Sequence, residues 1–251
     1  MKLYEIIKIL ENAFPKEGAY EWDNVGLLIG DESCEIKKVL VTLDITPSVI
    51  DEATKSGCDL VLSHHPILFS GIKQINTGSQ EGRVILSSIK NGINIYAAHT
   101  NCDVAPTGIN SYLAEILELE SAEPLEENGL GRIGKLKNEC TLSEFAKKVK
   151  SRLNLDFVRI CGDESKTIKT VAIGSGACSD SIPFAIQKGA EVMITGDTKY
   201  HHMLDFSKEI AIIDAGHYGT EIVVCDIFEK LLKDCPIDIL RTKSVDVYKI
   251  L

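Results

Sequence analysis

The sequence predicts an α/β protein built from two related halves. Apolar segments of strand length alternate with segments of helical periodicity, which is the pattern of α/β folds. Residues 39–66 match residues 171–198 at a constant offset of 132, with a glycine, an acidic residue and an apolar strand in the same order. The length of 251 residues suits two lobes of about 120 residues each.

The first half is predicted to alternate strands and helices from residue 37 onward. Its elements are a strand over 37–43, a helix over 47–56, a strand over 59–63, a helix near 81–90 and a strand over 93–98. A polar segment with a histidine follows each of the last two strands. Since ligands of α/β folds collect where strands end, these segments are candidates for the functional site.

The second half opens with an amphipathic helix over 141–153, in which Thr141 and Glu144 form a capping box. A strand over 210–215 corresponds to the strand over 93–98. Residues 121–134 are rich in glutamate and glycine and form the predicted boundary. The predicted domains are therefore residues 1–122 and 123–251.

Composition excludes several classes of protein. No apolar run approaches the roughly 18 residues that a membrane span needs, and the N-terminus lacks the features of a signal peptide. A net charge of −10 disfavours general nucleic-acid or membrane binding. The eight cysteines form no CxxC pair, which indicates reduced thiols. We expect a cytoplasmic protein that binds a small molecule.

The histidines and several acids cluster after predicted strands. The six histidines are His64, His65, His99, His201, His202 and His217, and the nearby acids are Asp103, Asp197 and Glu221. Imidazole with carboxylate suits Zn, Mn, Fe or Ni better than a dedicated calcium site. Adjacent histidines at a strand end point in different directions, so His64 and His65 suit two separate ions. The alternative is a polar loop with surface histidines.

Two segments share the form His-x-x-x-carboxylate, and both follow a strand. In the second, a separation of four places His217 and Glu221 on one helical face, if the first turn includes His217. Alternatively, Glu221 begins an amphipathic helix and only complements its N-terminus.

Three further features each allow a functional and a purely structural interpretation. Residues 129–135 contain a glycine pattern like those of nucleotide-binding loops, but no strand precedes it and a turn is favoured. Residues 174–176 (Gly-Ser-Gly) follow a strand and are either an anion-binding loop or a tight turn. Cys102 is either a thiolate ligand or a bystander.

Taken together, the motifs resemble the GTP cyclohydrolase 1 type 2 family, whose members are also called Nif-three-like proteins. The motifs occur in the family's order over nearly the whole chain: EWDNVGLLIG (21–30), SHHP (63–66), HTNCD (99–103), GRIGKL (131–136), TGD (195–197) and GHYGTE (216–221). The resemblance implies two interlocked, pseudo-symmetric α/β repeats with mixed sheets flanked by helices. It also implies a C-terminal segment packed on the first repeat, a metal site in the cleft between the repeats, and a homohexamer of the short form without an inserted domain.

Carried onto this chain, the resemblance implies a metal site made of five residues and holding two divalent cations. His64 and Asp103 would bind one cation, His65 and His217 the other, and Glu221 would bridge them. The identity of the two cations stays open among Zn, Mn, Fe and Ni.

The resemblance implies a metal-dependent hydrolase that opens the purine ring of GTP at C8 and releases formate. His99 would shuttle the proton, and Asp197 and His202 would lie at the cleft beside ligands or substrate. Two alternatives stay open from the sequence: a two-metal phosphoesterase, and a non-enzymatic metal-binding scaffold or regulator.

Overall fold

A computed structural model describes residues 1–249, which form ten α-helices and eleven strands. The helices are α1 (Leu3–Ala13), α2 (Pro47–Ser56), α3 (Gln80–Asn91), α4 (Thr100–Val104), α5 (Ile109–Ile116), α6 (Leu142–Arg152), α7 (Ile182–Gln187), α8 (Tyr200–Phe206), α9 (His217–Glu221) and α10 (Val224–Leu232). The strands are β1 (Gly26–Ile29), β2 (Lys38–Thr42), β3 (Leu60–Ser63), β4 (Asn94–Ala97), β5 (Leu119–Pro124), β6 (Arg132–Thr141), β7 (Arg159–Cys161), β8 (Thr167–Ile173), β9 (Val192–Thr195), β10 (Ala211–Asp214) and β11 (Asp238–Arg241).

The chain forms two compact units. Unit 1 comprises Met1–Ala105 and Val224–Val247, and unit 2 comprises Pro106–Val223 with the described residues after Val247. Each unit contains one mixed sheet flanked by helices, which confirms the predicted α/β class with mixed sheets. The predicted division into 1–122 and 123–251 follows the sequence repeats and stays a prediction.

Unit 1 has a five-stranded sheet in the order β1-β4-β3-β2-β11, in which only the edge strand β1 is antiparallel to its neighbour. Its core includes Leu40, Val61 and Ile95 from the three central strands, all fully buried. Helix α10 contacts α1 and β2 of the same unit. The buried central strands are parallel, so their C-terminal ends and the residues that follow lie at one edge of the sheet.

Unit 2 has a six-stranded sheet in the order β5-β6-β8-β9-β10-β7. Strands β8, β9 and β10 are parallel, and β7 is antiparallel to β10. The run β1-β4-β3-β2 of unit 1 therefore matches the run β7-β10-β9-β8 of unit 2 in order and direction. This agreement supports the internal repeat, because neither strand order nor direction entered the sequence comparison.

A carboxylate anchors the first parallel strand in each unit, and it does so identically. Asp59 Oδ2 accepts hydrogen bonds from the backbone N–H groups of Lys37 and Lys38 at 2.7 and 3.0 Å. At the offset of 132, Glu191 Oε2 accepts from the N–H groups of residues 169 and 170 at 2.7 and 2.8 Å. We call this arrangement the carboxylate clamp. It satisfies two backbone N–H donors at the start of β2 and two within β8. It thereby fixes each of these strands to the start of the strand that follows it, β3 or β9.

Local signals account for the helix ends. Thr46 caps α2 by accepting from the Val49 N–H, and Gly57 ends the helix in the left-handed conformation (φ +67°), which glycine adopts without strain. The capping box of Thr141 and Glu144 is present at the start of α6.

The glutamate- and glycine-rich segment forms most of a hairpin between β5 and β6. Gly129 and Gly131 lie in the turn at positive φ, and Arg132 donates to both of their carbonyl oxygens. Residues 132–135, including Gly134, already belong to β6, so the segment 129–135 is a turn that leads into a strand and not a phosphate-binding loop.

Two expectations from the composition concern membrane-spanning helices and the state of the cysteines. No helix within residues 1–249 has the length and apolar character needed to cross a membrane. All eight cysteines lie in the described residues and are present as thiols. Burial raises the pKa of Cys58 to about 11 and that of Cys225 to about 12, which disfavours the reactive thiolate at both positions.

The carboxylate clamp makes a testable contribution to stability. Substituting Asp59 by alanine leaves two backbone N–H groups without their charged acceptor, and we expect the free energy of unfolding to fall by about 1–3 kcal/mol. Glu191→Ala is expected to cost a similar amount. Urea denaturation measures both, with the exposed Asp51→Ala on α2 as the control. If the free energy of unfolding falls no more than in the control, the carboxylate clamp does not stabilise the fold.

Candidate metal centre

Unit 1 brings three histidines together where β3 and β4 end. His64 and His65 follow β3 directly, His99 follows β4, and one ring nitrogen from each lies within 4.8 Å of the others. Asp103, at the fourth position of the short helix α4, has its Oδ1 3.7 Å from His64 Nε2. His64 is fully buried and His65 and His99 are half-buried, so these donors do not lie on an exposed surface loop.

Each of these rings is oriented by a hydrogen bond at Nδ1. His64 Nδ1 lies 2.8 Å from the Ala98 carbonyl oxygen, and His65 Nδ1 lies 2.7 Å from Asp44 Oδ1. A carbonyl or carboxylate oxygen only accepts, so Nδ1 carries the proton in both rings. In a neutral ring Nε2 then carries the lone pair, which is the arrangement that metal-binding histidines adopt.

His99 is held in the same way by Asp23, whose side chain it contacts at 2.9 Å through Nδ1. Asp23 also accepts from the N–H and hydroxyl of Thr100 at 3.1 and 2.6 Å. Burial works against the charged form of Asp23, but the hydrogen bonds from His99 and Thr100 outweigh it and hold its pKa well below the ordinary value. Asp23 is therefore a carboxylate that fixes the start of α4.

Unit 2 brings His217 and Glu221 together on the short helix α9. Their separation of four residues places His217 Nε2 2.8 Å from Glu221 Oε2, and Glu221 is 4% exposed. His217 Nδ1 lies 2.8 Å from Asp197 Oδ2, in a loop whose backbone at Asp197 is left-handed (φ +51°). The pattern of unit 1 thus recurs in His217. A carboxylate holds its Nδ1, and its Nε2 is left as the atom that can bind a metal.

The contact between His217 Nε2 and Glu221 Oε2 requires either a proton or a metal cation between the two atoms. Because Nδ1 donates its proton to Asp197, Nε2 of a neutral His217 ring and the Glu221 oxygen would be two electron-rich atoms 2.8 Å apart. A second proton on the ring satisfies both carboxylates, and a divalent cation bound by both atoms takes the place of that proton. The residues of this structure therefore fit a metal.

Two glycines make room for this pair. A Cβ at Gly176 would lie 2.0 Å from Glu221 Oε1 and 3.3 Å from His217 Nε2, and a Cβ at Gly196 would lie 2.6 Å from the His217 backbone nitrogen. The N–H groups at 174–176 are already bonded, to the Ile194 carbonyl and to the Asn110 and Thr220 side chains. The Gly-Ser-Gly segment is therefore a tight turn that admits Glu221, and not an anion-binding loop.

Several expectations about single residues need correction. Glu221 ends α9 and does not begin the amphipathic helix, which starts at Val224, so it is no N-terminal complement to that helix. His201 and His202 lie on α8 and not directly after β9, and His202 Nδ1 contacts the Ser179 hydroxyl at 2.9 Å. Cys102 is fully buried and lies outside the histidine group of unit 1.

Sequence reasoning missed the roles of Asp44 and Asp23. Asp44 follows β2 by two residues, so the rule that identified the histidines, polar groups after parallel strands, would also have found it. Asp23 lies 76 residues before His99 and no strand precedes it closely. In the sequence, Asp23 stands out only as part of the motif EWDNVGLLIG (21–30).

Comparison with known proteins gives consistent results. A family model described as Duf34/NIF3 (NGG1p interacting factor 3) matches residues 1–247. A Clostridium acetobutylicum protein described as a GTP cyclohydrolase 1 type 2 homolog is 35% identical over 265 residues, which cover 99% of this chain and 98% of that protein. A Clostridium perfringens protein of the same description is 41% identical over 228 residues, covering 88% and 87%.

The fold is also shared with solved structures. The crystal structure of a Bacillus cereus protein related to NIF3 matches with a TM-score of 0.93 at 26% identity. The match covers 100% of this chain and 99% of the other. Chain length and architecture therefore agree throughout.

The space at Gly176 gives a prediction. In Gly176→Ala the new methyl group displaces Glu221, and we expect Zn²⁺ affinity to fall about 10- to 100-fold. Equilibrium dialysis at fixed pH measures this. Gly189→Ala is the matched control, because Gly189 also has positive φ (+76°) but its Cβ would meet nothing within 4 Å. Equal Zn²⁺ affinity in the two variants would contradict the role of Gly176.

Proposed function

The chain belongs to the Duf34/NIF3 (NGG1p interacting factor 3) family, and from this premise we propose that it is a dinuclear-metal-dependent hydrolase. One observation carries the proposal. His64, His65 and His217 all have Nδ1 directed to an oxygen acceptor, which leaves Nε2 for a metal. The buried carboxylates of Asp103 and Glu221 lie beside His64 and His217. A set of polar surface residues has no need of this common orientation, whereas a metal site does.

We propose that five residues form one centre for two divalent cations. His64 and Asp103 would hold the first ion, His65 and His217 would hold the second, and Glu221 would bridge them. The donor chemistry supports Zn, Mn, Fe or Ni. The carboxylates of Asp44 and Asp197 hold the rings of His65 and His217 and make their Nε2 atoms more basic.

The mechanism divides the work between metal and protein. When bound, the two cations supply Lewis acidity and acidify a water molecule near neutral pH. His99, held at Nδ1 by Asp23, presents Nε2 as the group that accepts and returns a proton. The pKa of Asp23 lies well below its ordinary value, so Asp23 keeps its negative charge beside His99 and holds that ring in place.

The substrate proposed is a nucleotide, and GTP opened at its purine ring is the first candidate. The two clostridial relatives carry the description GTP cyclohydrolase 1 type 2 homolog, which supports this choice. We further propose that the protein works in the cytoplasm as a homohexamer.

Activity is tested with protein stripped of metal by a chelator and reloaded with Mn²⁺, Fe²⁺ or Zn²⁺. We expect formate release from GTP only after reloading, and we expect His65→Ala to abolish it. His201→Ala, at an exposed histidine of α8, is the control and is expected to retain activity. Formate release that persists in His65→Ala would identify a contaminant. Metal binding without turnover of any nucleotide would favour a scaffold or regulator.

The bridging role of Glu221 gives a separate prediction. Glu221→Gln keeps the volume but removes the charge that offsets two cations about 3.5–4 Å apart, so at least one ion should be lost. We expect at most one metal per chain by elemental analysis, with a native-like circular dichroism spectrum. Glu209→Gln, at an exposed site, should keep both ions. Two tightly bound ions in Glu221→Gln would disprove the bridge, and a wild type that binds none would disprove the centre.

A further inference from the structure

The proposed metal centre leaves one conspicuous group of side chains in unit 1 unexplained. Trp22 is 60% exposed and Phe69 is 51% exposed, although large aromatic side chains are usually mostly buried. Tyr20 stacks on Trp22 with ring centroids 5.8 Å apart and 24° between the planes. We call Tyr20, Trp22 and Phe69 the aromatic rim.

The aromatic rim lies directly beside the histidine cluster. Trp22 and Phe69 both contact His99 edge to face, with centroids 6.0 and 5.6 Å away and interplanar angles of 73° and 82°. The His99 ring in turn lies 5.1 Å from the His64 ring and 5.5 Å from the His65 ring. The His99 ring therefore contacts the aromatic rim on one side and the proposed ligands His64 and His65 on the other.

Polar contacts fix the backbone that carries the aromatic rim. Asp23, next to Trp22, is fixed by His99 and Thr100, and the Tyr20 N–H donates to the Thr100 hydroxyl at 3.0 Å. Asn24 donates through its side chain to the carbonyl oxygen of residue 68 at 2.6 Å, which ties the segment of Trp22 to that of Phe69. Because the backbone of these segments is fixed in advance, less conformational entropy is lost when a ligand covers the rings.

We propose that the aromatic rim is the subsite that binds the planar heterocyclic base of the substrate. Tyr20 stacks on Trp22, and the indole is nevertheless 60% exposed, so it offers surface on which a further flat ring can stack. The Phe69 ring offers a second apolar surface beside His99. A base held there brings its ring atoms next to His99 and the metal ligands, where hydrolysis of the ring would take place.

This inference deepens the proposed function, but its test does not depend on metal or turnover. Trp22 is the single tryptophan of the chain, so its fluorescence reports on the rim alone. The probes are guanosine, which has a planar base and no phosphate, and ribose 5-phosphate, which has a phosphate and no base. Emission is followed on excitation at a wavelength where guanosine does not absorb, using the full-length protein with and without a chelator.

We expect guanosine to quench Trp22 in a saturable way in the chelated protein, and ribose 5-phosphate to have no effect there. N-acetyltryptophanamide corrects for collisional quenching. Phe69→Leu should weaken the guanosine Kd roughly fivefold or more. Phe184→Leu, at an aromatic residue of unit 2 that is 45% exposed, should leave it unchanged. Equilibrium dialysis of guanosine with Trp22→Phe and Trp22→Ala should show weaker binding to the alanine variant than to the phenylalanine variant.

Several results would overturn the proposal. Quenching that never saturates, equal quenching by ribose 5-phosphate, or equal guanosine affinity in Trp22→Ala and the wild type would each show that the rim is not a base subsite. Trp22 emission that depends on protein concentration and not on guanosine would assign the rim to contact between copies of the chain. Saturable guanosine binding without any turnover would retain the base subsite and disprove only the hydrolase.

Discussion

The candidate site depends on one constraint, the orientation of each imidazole ring by an acceptor at Nδ1. His64 and His65 follow β3, and their acceptors follow the two strands that flank it, the Ala98 carbonyl after β4 and the Asp44 carboxylate after β2. Because these strands are parallel, ligand and acceptor reach the same edge of the sheet without any special loop. The sheet therefore sets the tautomer of each ring before any metal binds.

The same constraint explains why acidic residues are concentrated around the histidines in a chain with a net charge of −10. A buried carboxylate is expensive unless it is bonded, and Asp23 shows how the cost is met, by three bonds from His99 and Thr100. The result is a group of imidazole rings held by carboxylates and a carbonyl oxygen. Such an environment favours the binding of metal cations.

Much of the architecture was predictable because it depends on local pattern. Periodicity and capping signals located α2 and α6 to within a residue, and the repeat with its offset of 132 predicted two related α/β halves. The association of Asp23 with His99 was not predictable from spacing, because long-range pairing leaves no periodic signal. The end of the helix at Glu221 was also missed, since the apolar pattern continues through Val224 while the backbone does not continue as one helix.

The carboxylate clamp shows what has persisted between the two repeats. Asp59 and Glu191 differ by one methylene group, yet each accepts from the same pair of backbone N–H groups at nearly the same distances. If the repeats descend from one ancestral segment, the side chain has drifted while the bond pair has remained. The sequence identity between the two halves then underestimates their similarity. The pattern of hydrogen bonds to the backbone preserves the relation better than the residue types do.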